Sequence, residues 1–570
     1  CVAGAPGDPS ALQGLAGFYD AHGRGADATA VWEREIEREP RNLPARQALA
    51  LRYEAAGRAD DARALLRAGV DLDGGAPARL ALADFERRGG RLDAALTAVE
   101  QAEEALPKPD ERVRFLRGEL LVDLGRLEEA EQLAGGFEEP PLRELLRGRI
   151  QLARGDAGAA LASFDAALRH LPSDAVGRYL TGLAARELGY VERAVAEFRE
   201  SLRADPGATD AALALAVLEA ERGRHQQAID AARVFIDKRG QARPDGYRVV
   251  AASQSALGLH DAARETVSKL RAAGFATEAA LESAGIESAA AGGGTEGAAV
   301  GAAALRASGL DLAQPAHEPL LRYLSELLLA AGHGDEALAA VDEVLARDPG
   351  RASLHELRGI VLLRMERRDQ ARAAFEAALA RDGANVAARS GLAAMTYERG
   401  DLERAIALYD EAARLAPQAV HPAYAAAQIV LARGDRTGAR QRLEEVVRRQ
   451  PGHIGACNDL AWLLATQRED LDRALELAEL AHRRAPSPEI TDTLGLVRLE
   501  RGEIDLAVPL FEQALAGRPD SQSIRFHLGL ALARSGERDR ALEALRAALA
   551  PGPFAEAEAA RAELARLEAR

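Results

Sequence analysis

Apolar residues recur along the chain on helical stripes, and the stripes themselves recur at intervals near 34 residues. That interval is too long for a helix or strand period and suits a repeated supersecondary unit. In each interval one helical stripe leads to a Gly-centred turn, and a second stripe opens near an Ala. The second-stripe alanines are Ala28, Ala62, Ala95, Ala130, Ala160, Ala194, Ala228 and Ala263, then Ala337, Ala371, Ala405, Ala439, Ala474, Ala507 and Ala541. Their spacings are 34, 33, 35, 30, 34, 34 and 35, a gap of 74, then 34, 34, 34, 35, 33 and 34. The pattern predicts fifteen helical hairpins.

Large residues such as Trp32, Phe198, Phe375, Tyr409 and Phe511 follow the Ala by four positions, on the same helical face, and are expected to fill the space between neighbouring hairpins. A Pro closes ten of the fifteen units: Pro40, Pro107, Pro172, Pro206, Pro349, Pro417, Pro451, Pro486, Pro519 and Pro553. Proline cannot continue a helix, so it ends the unit. Small residues let paired helices approach closely, and the turn Gly takes a positive φ that other residues resist.

The 74-residue gap accommodates a degenerate sixteenth unit centred on Ala298, with helices near Glu278–Ser288 and Gly297–Ala307 and a turn at Gly292-Gly293-Gly294. The chain therefore divides into a flexible tether at 1–9, eight repeats at 10–274, a degenerate repeat and hinge at 275–317, seven repeats at 318–553, and a capping helix at 554–570. No hairpin can bury its apolar face alone, so the stack is the folding entity and its open end needs a polar cap.

Gly148, Gly155, Ala160, Phe164, Ala167 and Pro172 form one complete unit; Leu494-Gly495, Gly502, Ala507, Phe511, Ala514 and Pro519 form another. This signature resembles the tetratricopeptide repeat. The resemblance implies an all-α solenoid of 15–16 helix-turn-helix units. It also implies that first helices line an inner concave surface through positions 2, 5, 9 and 12 of each unit. Carried onto this sequence, most such positions are Ala, Leu, Val or Arg. Toward the C-terminus they become richer: Tyr397, His421, Tyr424, Gln428, Asn458, Trp462, Asp492 and Phe526. Aromatic rings beside amides suit a sugar face or an extended peptide, because flat rings bury area at low entropic cost. The alternative is that these side chains pack on adjacent helices or under the cap. Cys457 is expected to be a buried small residue rather than a reactive thiol.

Composition narrows the function classes. The chain has 570 residues, 48% hydrophobic and 28% charged, with aromatics at only 4%; this suits packed helices rather than a β-sandwich. Net charge is −16, and of 73 basic residues only Lys108, Lys238 and Lys269 are Lys, so no basic nucleic-acid-binding excess exists. The Glu/Arg pairs at helical spacing read as solvated faces. No run of about 18 apolar residues predicts a membrane span.

Chemistry-bearing motifs fail in context. Gly292 to Gly297 formally matches G-x-G-x-x-G, but the predicted flanks are helices, not the strand a dinucleotide site needs. No phosphate loop, H-E-x-x-H, C-x-x-C or G-x-S-x-G is present, and the eleven His are scattered without metal-ligand spacing. A non-enzyme without cofactor or metal is expected. Family members that clamp a C-terminal carboxylate use Lys and Asn at fixed first-helix positions; three Lys and three Asn in all cannot form that clamp.

The stretch Asn458-Asp459-Leu460-Ala461-Trp462-Leu463-Leu464-Ala465, followed by Leu475 to Ala478, Ala485-Pro486 and Thr491 to Gly495, resembles the C-terminal region of long tetratricopeptide lipoproteins of exosortase-type exopolysaccharide systems. Cys1 at the first position is also similar to a mature bacterial lipoprotein, and an arbitrary boundary is the alternative. Together these resemblances imply a lipid on Cys1, a membrane anchor, and a periplasmic position. Val2 in place of Asp after the Cys implies the outer membrane by the bacterial sorting rule. They also imply protein partners in polysaccharide assembly or export. Direct polysaccharide capture in the groove and a cytoplasmic adaptor stand as the alternative functions.

Overall fold

A computed structural model describes residues 9–240 and 243–569. Cys1, where the lipid is expected, and the tether up to Asp8 lie outside the described residues. Among the described residues there are 33 α-helices and no strand, so the fold is an all-α solenoid of helical hairpins.

The alanine column shows why the period is so strict. All fifteen second-helix alanines are 0% exposed. A first-helix glycine commonly faces the aromatic residue that follows the Ala. A Cβ built on Gly148 would lie 2.4 Å from Phe164, on Gly359 2.6 Å from Phe375, and on Gly495 2.8 Å from Phe511. The ring thus sits directly on the partner helix backbone, in space that only glycine leaves open. Gly155 and Gly502, at the turns of two such hairpins, both have φ +81°, the left-handed region expected of them.

By contact the chain forms two compact units. The first comprises residues up to Ala184 with Arg203–Ala208; the second comprises Ala185–Leu202 with the rest from Thr209 onward. In the first, Leu96, Val99, Leu121, Leu146 and Ile150 belong to one core that runs through successive hairpins. In the second, the largest core runs from Val420 to Leu567 and includes Leu464, Phe511, Leu532 and Leu545. Full burial of each such side chain contributes about 1.5–3 kcal/mol before entropy is subtracted. The terminal helix Ala557–Glu568 covers the last hairpin with Ala560 and Leu567, and Arg538 donates to the Leu567 carbonyl at 3.0 Å.

Helices at Ala276–Ala290 and Gly294–Arg306 occupy the interval without the regular Ala spacing. Here the close approach is made by glycine alone: a Cβ on Gly297 would meet the Ser288 carbonyl oxygen at 2.4 Å, and one on Gly301 that of Ala284 at 2.8 Å.

Two contacts were not read from the sequence. First, many ion pairs join successive hairpins rather than neighbours on one helix. Arg322 reaches Glu356, 34 residues on, at 2.7 Å, and the Glu356 side chain is only 6% exposed. Such pairs are part of the packing and add to the pairs at helical spacing, which are mostly exposed, as in Arg58 with Asp61. Second, within the second unit the chain meets itself after 295 residues: Arg483 Nε donates to the Leu188 carbonyl at 3.0 Å. The Arg483 guanidinium also lies 5.0 Å from the Tyr190 ring centroid, and Arg484 lies 3.5 Å from Glu187.

Candidate functional site

Tyr424, Asn458, Asp492 and Phe526 follow one another at intervals of 34, at one position on four successive first helices: Val420–Ala432, Ile454–Gln467, Pro488–Glu500 and Gln522–Ser535. Side-chain caps set where three of these helices begin. His453 Nδ1 accepts from the Ala456 amide at 3.1 Å, and the hydroxyls of Ser487 and Ser521 accept from the amides of Ile490 and Ile524 at 3.3 Å. Equal starts put equivalent side chains in a row.

The row is tied across hairpins. The Tyr424 hydroxyl donates to Asp459 Oδ2 at 2.8 Å, 35 residues on. Gly455 leaves room for it, since a Cβ there would lie 2.4 Å from that hydroxyl oxygen. His527 Nδ1 donates to Asp492 Oδ1 at 2.9 Å, again across 35 residues. The middle place breaks the rule. Thr493, 35 residues after Asn458, donates its hydroxyl to the Glu489 carbonyl of its own helix at 3.1 Å. Asn458 Nδ2 donates to Asp459 Oδ1 at 3.3 Å, which orients the amide, and Asn458 Oδ1 is buried with no partner among the described residues.

Burial dominates the electrostatics. It pushes the Asp459 carboxyl up, against the hydrogen bonds from Tyr424, Asn458 and Gln428. It raises the Tyr424 phenol, helped by the Asp459 charge, and lowers the His453 imidazole. Burial also opposes a charge on His527, but Asp492, assisted by Glu556 and Glu500, outweighs it and the imidazole pKa is raised.

A cavity of about 510 Å³ opens at the middle place. It is lined by Asn458, Trp462, Glu489, Asp492, Thr493, Arg518, Asp520, Ser521, Ser523 and Ile524. Three of the residues expected to face a groove, Asn458, Trp462 and Asp492, are thereby brought together. Tyr424 adjoins them through Asp459, and exposed Gln428 donates to the Tyr424 hydroxyl at 2.8 Å. His421 is exposed one turn earlier on the same helix. Tyr397 is 44% exposed at the end of Val386–Glu398 and is not among the lining residues. Phe526 is 5% exposed, with its ring centroid 6.3 Å from that of Phe554, so its expected place on the open surface is corrected to the core beneath the cap. Cys457 is buried, its thiol pushed up to about 11 by burial, and Sγ donates to the Pro451 carbonyl at 3.1 Å.

Glu489, Thr493, Arg518, Asp520 and His527 were missed by the sequence reading. The usable signal was a pairing at 35 residues, which places Tyr424 beside Asp459 and Asp492 beside His527 in consecutive hairpins. Among the described residues no group of three His, Cys, Asp or Glu is placed to hold a metal ion, and no helix is long and apolar enough to cross a membrane.

The model of one protein family, described as tetratricopeptide repeat, matches residues 47–108, 80–135, 145–209, 179–245, 322–364, 356–420, 424–488 and 493–556, more than half of the chain. No curated protein matches the sequence. Among solved structures, the chain is similar to the APC/C hetero-tetramer Cut9-Hcn1, at 15% identity over 92% of this chain and 96% of that one, with a TM-score of 0.37. It is similar to Naa15/Naa10 bound to HypK-THB at 13% identity over 98% and 99%, with a TM-score of 0.37. It is similar to pilF of Pseudomonas aeruginosa at 18% identity over 36% and 94%, with a TM-score of 0.33.

Proposed function

The chain belongs to the tetratricopeptide-repeat family, and from that premise we propose that it is a non-catalytic scaffold for exopolysaccharide assembly or export. In this reading a lipid on Cys1 holds it to the periplasmic face of the outer membrane, and protein partners dock on the first helices of its last hairpins. Repeat arrays of this family generally serve as scaffolds for protein partners. The observation that carries the reading is the cavity of about 510 Å³ that brings Asn458, Trp462 and Asp492 together on successive first helices. The envelope assignment rests on the resemblance of the Asn458 to Gly495 stretch to polysaccharide-system lipoproteins.

The test is deletion in the native host, with secreted polysaccharide and membrane fractionation as readouts. Secretion is expected to fall and to be restored by the wild-type gene but not by Cys1→Ala, with the mature N-terminal peptide carrying acyl mass. Full secretion without the protein, or an unmodified Cys1 thiol in the envelope, would contradict the proposal. A second reading, direct binding of a polysaccharide, draws support from Trp462 alone, because an indole face stacks on a sugar ring.

A further inference from the structure

We propose that Arg483 and Arg484 form a latch with the turn at Glu187–Tyr190, which holds the second unit closed and releases it as ionic strength rises.

A stack of hairpins flexes by accumulation. Eight hairpins, from Ala211 to Arg484, lead from the turn to the arginine pair. Each is held mainly by its neighbours, so a small change of rotation at every interface adds up along the series. A contact that joins the two ends of the series opposes the accumulated motion, which no contact between neighbours can do. The hydrogen bond from Arg483 to the Leu188 carbonyl is such a contact.

Both sides of the contact are prepared for it. Arg483 pairs with Glu479 of its own helix at 3.3 Å, and Glu479 is held in turn by Arg498 of the next hairpin. Arg484 donates to the Gly452 carbonyl at 2.9 Å, at the entry to its own hairpin. Side chains already oriented lose less freedom when they bind. On the other side, the turn departs from its counterparts. Four other turns follow their Gly with a charged residue, Arg126, Asp156, Asp401 and Glu503. Here the residue is Tyr190, 41% exposed, whose ring centroid lies 5.0 Å from the Arg483 guanidinium. Gly189 lets the two backbones approach, since a Cβ there would lie 2.9 Å from Arg483 Cβ. At the next turn Gly223 has nearly the same φ, +71° against +70°, yet a Cβ on it would meet nothing within 4 Å.

The forces suit a latch rather than a permanent weld. Arg484 and Glu187 are 3.5 Å apart, with side chains 26% and 42% exposed. Charges so open to water attract weakly and are screened by salt. Closure is therefore favoured at low ionic strength and lost at high.

Pulsed EPR on the full chain tests this directly. Spin labels are placed at Glu192→Cys and Glu476→Cys, two exposed positions, in a background carrying Cys1→Ser; Cys457 is buried and takes no label. One narrow distance is expected at low salt. It should broaden at about 1 M salt, where charges are screened beyond about 3 Å. Arg483→Ala with Arg484→Ala should lose the narrow distance at every salt concentration. Arg448→Ala with Arg449→Ala, the pair that ends the preceding second helix and binds Glu445 of that helix, should keep it. Gly189→Ala should lose it, and Gly223→Ala, which bears the same backbone strain, should not. A narrow distance that survives both high salt and the loss of Arg483 and Arg484 would overturn the latch, because neighbouring hairpins alone would then set the closure. A broad distribution in the wild type at low salt would overturn it as well. Equal distributions in Gly189→Ala and Gly223→Ala would contradict the seating of Arg483 on the turn.

Discussion

His527 Nδ1 lies 2.9 Å from Asp492 Oδ1, and the imidazole side chain is only 8% exposed. The pair joins the last two first helices just behind the Asn458 cavity. Because the imidazole pKa is raised above its ordinary 6.5, this pair stabilises the fold fully below that value, and the contribution is lost as pH rises through the raised pKa. Denaturant midpoints read by tryptophan fluorescence should therefore decline as pH rises above the ordinary imidazole value of about 6.5. The slope should flatten in His527→Gln. An identical slope in the two proteins would show that Asp492 and His527 do not govern it.

Glycine is required at some first-helix places and only tolerated at others. A Cβ on Gly148 meets Phe164 at 2.4 Å, whereas one on Gly14 meets nothing within 4 Å. Gly148→Ala should cost about 1–3 kcal/mol through overpacking. Gly14→Ala should gain about 0.5–1 kcal/mol from helix propensity. Urea unfolding of both variants checks the opposite signs; equal effects would refute the seat-for-a-ring explanation.

These glycines show what the sequence displayed. The column from Ala28 to Ala541 and the rings of Phe164, Phe375 and Phe511 repeat because each hairpin presents the same packing problem to the next, so periodicity alone revealed the fold. The candidate site was legible only in part. Asn458, Trp462 and Asp492 stood out by residue type, yet Phe526, at the same register, turned out to be covered by Phe554 near the open end. The partners Asp459, His527 and Arg518 depend on the rotation of one hairpin against the next. Contact between Arg483 and Leu188 depends on that rotation accumulated over 295 residues, which no local pattern encodes.

That long-range contact makes its own prediction. Arg483→Ala combined with Arg484→Ala removes the donor to Leu188, the cation over Tyr190 and the ion pair to Glu187. Partly exposed pairs of this kind contribute about 1 kcal/mol or slightly more. Amide exchange around residues 185–190 should accelerate about tenfold for each 1.4 kcal/mol lost. High salt should produce part of the same effect in the wild type. Unchanged exchange would mean the contact contributes nothing to stability.

Buried pairs between hairpins should be less forgiving. Arg322→Ala strands Glu356, whose side chain is 6% exposed, and should cost about 2–3 kcal/mol. The double variant Arg322→Ala with Glu356→Gln should recover part of that loss. A single-variant cost under about 0.5 kcal/mol, the range of ordinary surface changes, would show that this pair contributes nothing beyond a surface contact.

The most direct test of the account is site-specific photocrosslinking in the native host, with a benzophenone side chain at Trp462 and, separately, at Leu506, which is 52% exposed on a second helix. The account predicts a discrete protein adduct from position 462 and none of that mass from position 506. Adducts of the same mass and yield at both positions, or none at 462 while polysaccharide secretion is active, would contradict a partner-binding face built from the first helices.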